Sequence, residues 1–237
     1  MAALDQRVAS IDHIVVMASN LAQGVAWCEA TLGVTPGPGG EHALMGTHNR
    51  LLKIATTEYR TAYLEIIAIN TGALKSTNTG ARRWFDMDNP ALQARVAQQG
   101  PVLTHFVLGV PDIAAAVATL AAQGLDRGAV LQASRATPAG LLQWQISVRS
   151  DGQRLFDGCL PTLIQWGHPQ AFGTSHPTDA MIESGVTFCG LHVQHPEAEI
   201  LNKAYHALGL SPMARANATA RLCVQLQTPK GLVEICS

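Results

Sequence analysis

The 237-residue sequence predicts an α+β fold made from a repeated unit, in which one strand and one helix are followed by several strands. Three observations carry that prediction. A His sits inside an apolar strand three times, in Ile11-Asp12-His13-Ile14-Val15, Leu103-Thr104-His105-Phe106-Val107 and Gly190-Leu191-His192-Val193. Each is followed, at nearly the same distance, by a helix closed on Gly and an aliphatic residue: Gly33-Val34, Gly124-Leu125 and Gly209-Leu210. The first and third units also end alike, on Tyr63-Leu64-Glu65-Ile66 and Leu232-Val233-Glu234-Ile235, where the second has Leu163-Ile164-Gln165-Trp166. Self-similarity of this kind marks one supersecondary unit used again. A doubly wound parallel sheet would need helices between most strands, and after each first helix the segments read as strands instead.

The elements follow in order. Ile11 to Met17 is short, β-branched and apolar, a strand. Asn20 caps a helix through Leu21, Val25 and Leu32, and Gly33 ends it in a left-handed cap. After the breakers Pro36-Gly37-Pro38 comes a glycine-rich loop, Gly39 to Leu52. Leu51 to Ile54 and Thr61 to Ile69 read as strands around a turn at Thr56-Thr57-Glu58. Residues 70–84 are a polar connection, and Asn89-Pro90 opens a helix that Gly100 stops. Val102 to Leu108 is the second unit's first strand, and Asp112 caps its Ala-rich helix. Ala129 to Gln132, Gln143 to Val148 and Leu160 to Trp166 are strands, with Asp151-Gly152 as a turn. Gly167-His168-Pro169 turns the chain. Val186 to Val193, a helix opened by Pro196, and a hairpin of Ala220 to Gln227 with Leu232 to Cys236 complete the third unit. The predicted organisation is a first unit at 10–70, a connection with a helix at 71–100, a second unit at 101–168 and a shorter third at 185–237.

Composition narrows the function. With 14% charged residues, a net charge of −1 and no basic block, nucleic acid is excluded as the main partner. Residues 1–7 carry no apolar signal segment, and no uncharged run reaches membrane-spanning length. The five cysteines are scattered without a CxxC, the pattern of reduced thiols in a cytoplasm, each a small core residue. The low charge leaves room for a homodimer interface. A small-molecule substrate is the remaining partner.

The loop Gly39-Gly40-Glu41-His42-Ala43-Leu44-Met45-Gly46-Thr47-His48-Asn49-Arg50 holds the densest polar group in the chain. Ordering such a loop is costly unless its groups are used. His42 and His48 are suited to substrate contact or proton transfer, or else they satisfy loop backbone groups. Thr47 and Asn49 face the same choice. Arg50 suits a forked contact with a carboxylate or phosphate, or an ion pair with Glu65. The glycines match neither GxxxxGK[ST] nor GxGxxG, and no GxSxG is present. A His in an apolar strand is a ligand or a hydrogen-bonded core residue. Glu65 shares a face with Tyr63 and Ile67, so a buried carboxylate there needs a metal or a donor. His176 and His206 read as solvent-facing.

Asp12-His13, the Gly39-to-Arg50 loop and Tyr63-Leu64-Glu65 together resemble the glyoxalase-like domain group of the vicinal oxygen chelate superfamily, to which glyoxalase I and extradiol dioxygenases belong. The resemblance spans roughly residues 10 to 168. It implies βαβββ modules that pair into a cupped mixed sheet. It further implies one metal ligand from the first and last strand of each module: His13 and Glu65, His105 and Gln165, with His192 and Glu234 as a rival pair. Such a set suits a divalent ion of the Zn, Ni, Mn or Fe type. The implied function is a metal-assisted lyase, isomerase or dioxygenase for a small oxygenated metabolite, with Glu65 and His48 as catalytic groups and His42, Thr47, Asn49 and Arg50 contacting substrate. The alternative is a non-catalytic small-molecule binding protein on the same fold, which calls for an aromatic-lined cup.

Overall fold

Alternation of apolar side chains decides where the first unit's strands lie. β1 (Ser10–Met17) turns Ile14 and Val16 to one face and His13, Val15 and Met17 to the other, and both faces are buried. The computed structural model describes residues 9–72, 82–137, 140–167 and 176–237. Helix α1 (Leu21–Leu32) starts where the Asn20 side chain accepts from the Gln23 N–H at 2.9 Å, and it ends at Gly33, whose φ of 79° favours glycine. β2 (Glu41–His42), β3 (Thr47–Lys53) and β4 (Tyr63–Ile69) complete the unit. The glycine-rich loop is thus largely a hairpin. Glu41 and His42 pair with His48 and Thr47, around a turn that Gly46 closes at φ 60°. The loop reading missed it because the four consecutive polar residues Thr47-His48-Asn49-Arg50 carry no apolar alternation to mark a strand.

Helix α2 (Pro90–Gln99), capped by Asn89, leads to the second unit: β5 (Val102–Gly109), α3 (Ile113–Ala121), β6 (Ala129–Thr137), β7 (Gly140–Val148) and β8 (Thr162–Trp166). One eight-stranded sheet joins the two units in the order β2-β3-β4-β1-β5-β8-β7-β6. In each unit the first strand lies parallel to the last, and β1 meets β5 antiparallel at the centre. The fold is therefore α+β, with repeated βαβββ-like modules in a nearly closed mixed sheet. Its outer strands approach where Gly40 faces Arg135: a Cβ on Gly40 would lie 2.3 Å from Arg135 Nη1. A Cβ on Gly39 would lie 2.1 Å from the Asn49 carbonyl oxygen. The Gly39-Gly40 pair is explained by these close approaches.

The helix-side face of the sheet packs Ile14, Leu64, Ile66, Phe106 and Leu108 against Cys28 and Leu32 of α1 and Ile113 and Leu120 of α3. The concave face encloses Val15, Ile67, Trp84, Phe85, Val107, Trp144 and Ile164.

The third unit comprises β9 (Thr187–His195), α4 (Ala198–Ala207), β10 (Ala214–Ala216), β11 (Arg221–Thr228) and β12 (Gly231–Cys236). Its separate sheet has the order β10-β9-β11-β12, so β11 lies between the first and last long strands. This corrects the rival pairing: exposed His192 on β9 and exposed Glu234 on β12 are separated by a strand. The cysteine reading is corrected too. Cys223 and Cys236 occupy opposed positions of the β11–β12 hairpin and form a disulfide, whereas Cys28 and Cys159 are buried free thiols and Cys189 is exposed. Among the described residues no helix is long and apolar enough to cross a membrane. The expectations for residues 1–7, for 73–81 of the polar connection and for the turn from His168 onward lie outside the described residues.

Candidate functional site in the cup

Two neighbouring residues of β1 begin the site. His13 faces the concave side with its Nδ1 2.6 Å from Asp12 Oδ1. Asp12 is 2% exposed, and its other oxygen accepts from Trp166 Nε1–H at 2.7 Å and from His176 Nε2–H at 3.1 Å. The His176 tautomer follows from its other nitrogen, which accepts from the Thr178 N–H. Burial alone would raise the Asp12 carboxyl, but His176 and His13 outweigh it and hold the group well below the usual carboxylate range. A carboxylate on Nδ1 fixes the His13 ring and turns Nε2 into the cup.

Glu65 lies across from that nitrogen. It is 4% exposed, with Oε2 3.7 Å from His13 Nε2 and Oε1 3.9 Å from His42 Nε2. Its firm donor is Asn49 Nδ2, at 2.6 Å from Oε1. Asn49 is oriented in turn by the Gly40 N–H, which donates to its Oδ1 at 2.8 Å. His42 Nδ1 meets Thr47 Oγ1 at 3.0 Å. Burial lowers the His42 pKa to about 4, against the raising effect of Glu65, so its ring is neutral at pH 7. Tyr63 stacks on His13 with centroids 4.6 Å apart, and burial raises its phenol well above the usual value, so it stays protonated.

His13, His42, Asn49, Tyr63 and Glu65 border a cavity of about 30 Å³, walled by Trp84, Phe85, Trp144 and Trp166. A larger groove of about 670 Å³ runs along the third unit and reaches Asp12, Trp166 and His176 but not Glu65. The Asp12 cluster is the partition between the two. The Glu65 carboxylate and the imidazoles of His13 and His42 face the smaller cavity.

Of the residues the sequence singled out, His13, Glu65, His42, Thr47 and Asn49 come together here. The others stand apart. His48 and Arg50 alternate with Thr47 and Asn49 on β3, so they point to the opposite face, the one whose Leu52 joins the helix-side core. His105 is fully buried with both ring nitrogens engaged: Nδ1–H donates to the Gly158 carbonyl at 2.9 Å, and Nε2 accepts from the Thr162 N–H at 3.1 Å. Gln165 Oε1 accepts from the Ile113 N–H at 2.9 Å and caps α3. The cup therefore does not present the four donors His13, Glu65, His105 and Gln165 to one ion, and that set does not fit a metal there.

A three-donor group occurs elsewhere. Cys223, Glu234 and Cys236 bring two sulfurs and a carboxylate oxygen within 4.8 Å of one another, close enough to coordinate a metal ion. The two sulfurs are bonded to each other, so the group becomes available only as free thiols.

Asp12, Tyr63, Arg135 and His176 belong to the site and were not among the expected residues. Asp12 was legible as the neighbour of His13. His176 was read as solvent-facing and is 7% exposed; its burial comes from a contact with β1 that no local pattern announces.

The family model described as a glyoxalase-like domain matches residues 11–209. The chain belongs to the glyoxalase-like domain family. The family lies within the vicinal oxygen chelate superfamily, and the match covers both paired modules and reaches the third unit's helix. No curated protein matches this glyoxalase-like chain. Among solved structures, it is similar to a hypothetical protein from Staphylococcus aureus at 17% identity, over 97% of this chain and 85% of that one, with a TM-score of 0.56. That likeness shows the fold alone. Weaker likenesses are to methylmalonyl-CoA epimerases. A Streptomyces coelicolor variant is 19% identical over 72% of this chain and 99% of its own, with a TM-score of 0.42. The Mycobacterium tuberculosis enzyme is 15% identical over 70% and 91%, with a TM-score of 0.38.

The buried imidazoles make a pH prediction. A free His titrates near 6.5, whereas His42 titrates at about 4 and burial holds His105 well below its usual value. The unfolded chain then binds more protons than the native one throughout that interval, so stability falls as pH drops from about 6.5 towards 4. Urea midpoints should decline steadily over this range, and H42Q should flatten part of the decline. A midpoint constant from pH 7 to 4.5 would contradict the buried, neutral assignment.

Proposed function

We propose that the cup is the proton-transfer site of a lyase or isomerase for a small oxygenated molecule, with Glu65 as the base. The observation that supports this most is the placement of Glu65: a buried carboxylate at the cavity wall, with one strong donor and two imidazole nitrogens within 4 Å. A carboxylate acts as a base on a proton within hydrogen-bond reach or through one water. Glu65 would take a proton from a carbon next to a carbonyl and become the neutral acid. Oε1 stays oriented by Asn49, while Oε2 faces His13, whose ring Asp12 holds. A separation of 3.7 Å is within reach of a single bridging water. No step runs through a metal, since His105 and Gln165 are engaged elsewhere, and the dioxygenase version loses its support with them.

One observation favours a second reading, capture without chemistry: three of the four tryptophans line the cavity. Solvent exchange separates the two. The protein is incubated in D2O with short oxo acids and ketones, and proton NMR follows the hydrogens next to the carbonyl. Proton transfer predicts accelerated deuterium incorporation into a ligand that binds. Saturable binding with no acceleration over buffer would favour capture and sink the base role.

A further inference from the structure

We infer that Arg135 and Trp84 form an anion-holding end of the cup, and that its ligand carries a carboxylate. This rests on the cup being the ligand site, and it adds the ligand's class. β6 turns Leu131, Ala133 and Arg135 to the concave side, so an Arg continues an apolar row. Its Nη1 is buried without a hydrogen-bond partner, and the same holds for the indole Nε1 of Trp84, a residue only 6% exposed. Both residues line the cavity. Among the described residues no carboxylate lies in ion-pair reach of Arg135, although Glu65 lines the same cavity.

Buried donors left unpaired are unfavourable, and native proteins rarely keep two on the wall of one cavity. A guanidinium offers a planar fork that matches a carboxylate, whose several lone pairs also accept from an indole N–H. A neutral carbonyl can satisfy one such donor but leaves the charge of the half-buried guanidinium uncompensated. Gly40 contributes by lacking a Cβ, which would otherwise lie against the guanidinium. At about 30 Å³ the cavity has room for a group of a few heavy atoms, the size of a carboxylate head. Glu65 on another wall is left to act on the carbon beyond that head. The ligand class is then a short carboxylic acid with a second oxygen function.

The test uses acetate and its neutral counterpart acetamide, titrated at pH 7 against the whole protein and read by tryptophan fluorescence. Acetate should bind saturably and at least tenfold more tightly than acetamide. R135Q should weaken acetate at least tenfold, with R135K intermediate because the charge remains and the fork is lost. W84F should weaken it severalfold. Equal binding of acetate and acetamide, or an unchanged affinity in a folded R135Q, would overturn the inference. The acetate-to-acetamide ratio of the unaltered protein decides the matter if R135Q does not fold. Failure here is distinguishable from failure of the proton-transfer reading. Acetate binding without solvent exchange in any bound acid removes the base role and leaves the anion site. Exchange of neutral ketones without preference for acetate does the reverse.

Discussion

Replacing Asp12 by alanine should cost the fold about 3–5 kcal/mol, the range for removing one partner of a buried charged group. The carboxylate accepts from three rings, those of His13, Trp166 and His176. They come from three separate stretches of chain, so its removal leaves two buried imidazoles and the half-buried Trp166 indole without their acceptor and detaches 176–179 from β1. D12N should cost less, because an amide oxygen still accepts. Urea denaturation of both variants checks this, and a loss below about 1 kcal/mol for D12A would mean that the cluster is not the brace described.

His105→Ala should be nearly as damaging, at about 3–5 kcal/mol, through the loss of a buried ring and the unpairing of the Gly158 carbonyl and the Thr162 N–H. The reading is structural, and it separates from a ligand role. EDTA-treated and untreated protein should show the same difference between unaltered chain and variant. A stability loss that appears only when a divalent ion is present would return His105 to the ligand set.

Much of the fold could be read from the sequence because its signals are local. Asn20, Gly33, Asn89, Asp112 and Gly100 mark helix ends by chemistry that needs no partner. Repetition of the His-bearing strand and the Gly-closed helix marked the paired modules. Beyond that, sequence position alone misleads. His13 and His105 occupy equivalent strands, yet one ring turns an open nitrogen to the cup and the other is locked by Gly158 and Thr162. Glu65 and Glu234 follow the same motif, but β11 separates Glu234 from the third unit's first strand, so the repeat carries a pattern without the geometry. Strand alternation in the glycine-rich segment was there to be used: it divides Thr47 and Asn49 from His48 and Arg50. His176, Trp84 and Arg135 reach the site through long-range packing, which a single sequence does not record.

The measurement that bears most directly on the cup as a proton-transfer site is the rate of solvent deuterium incorporation into a bound short oxo acid, compared between the unaltered protein and E65Q at saturating ligand. E65Q keeps the size of Glu65 and removes the base. Its rate should fall by about 10²- to 10⁴-fold while ligand affinity changes little. An E65Q protein that binds the ligand and exchanges its proton as fast as the unaltered chain would contradict the account.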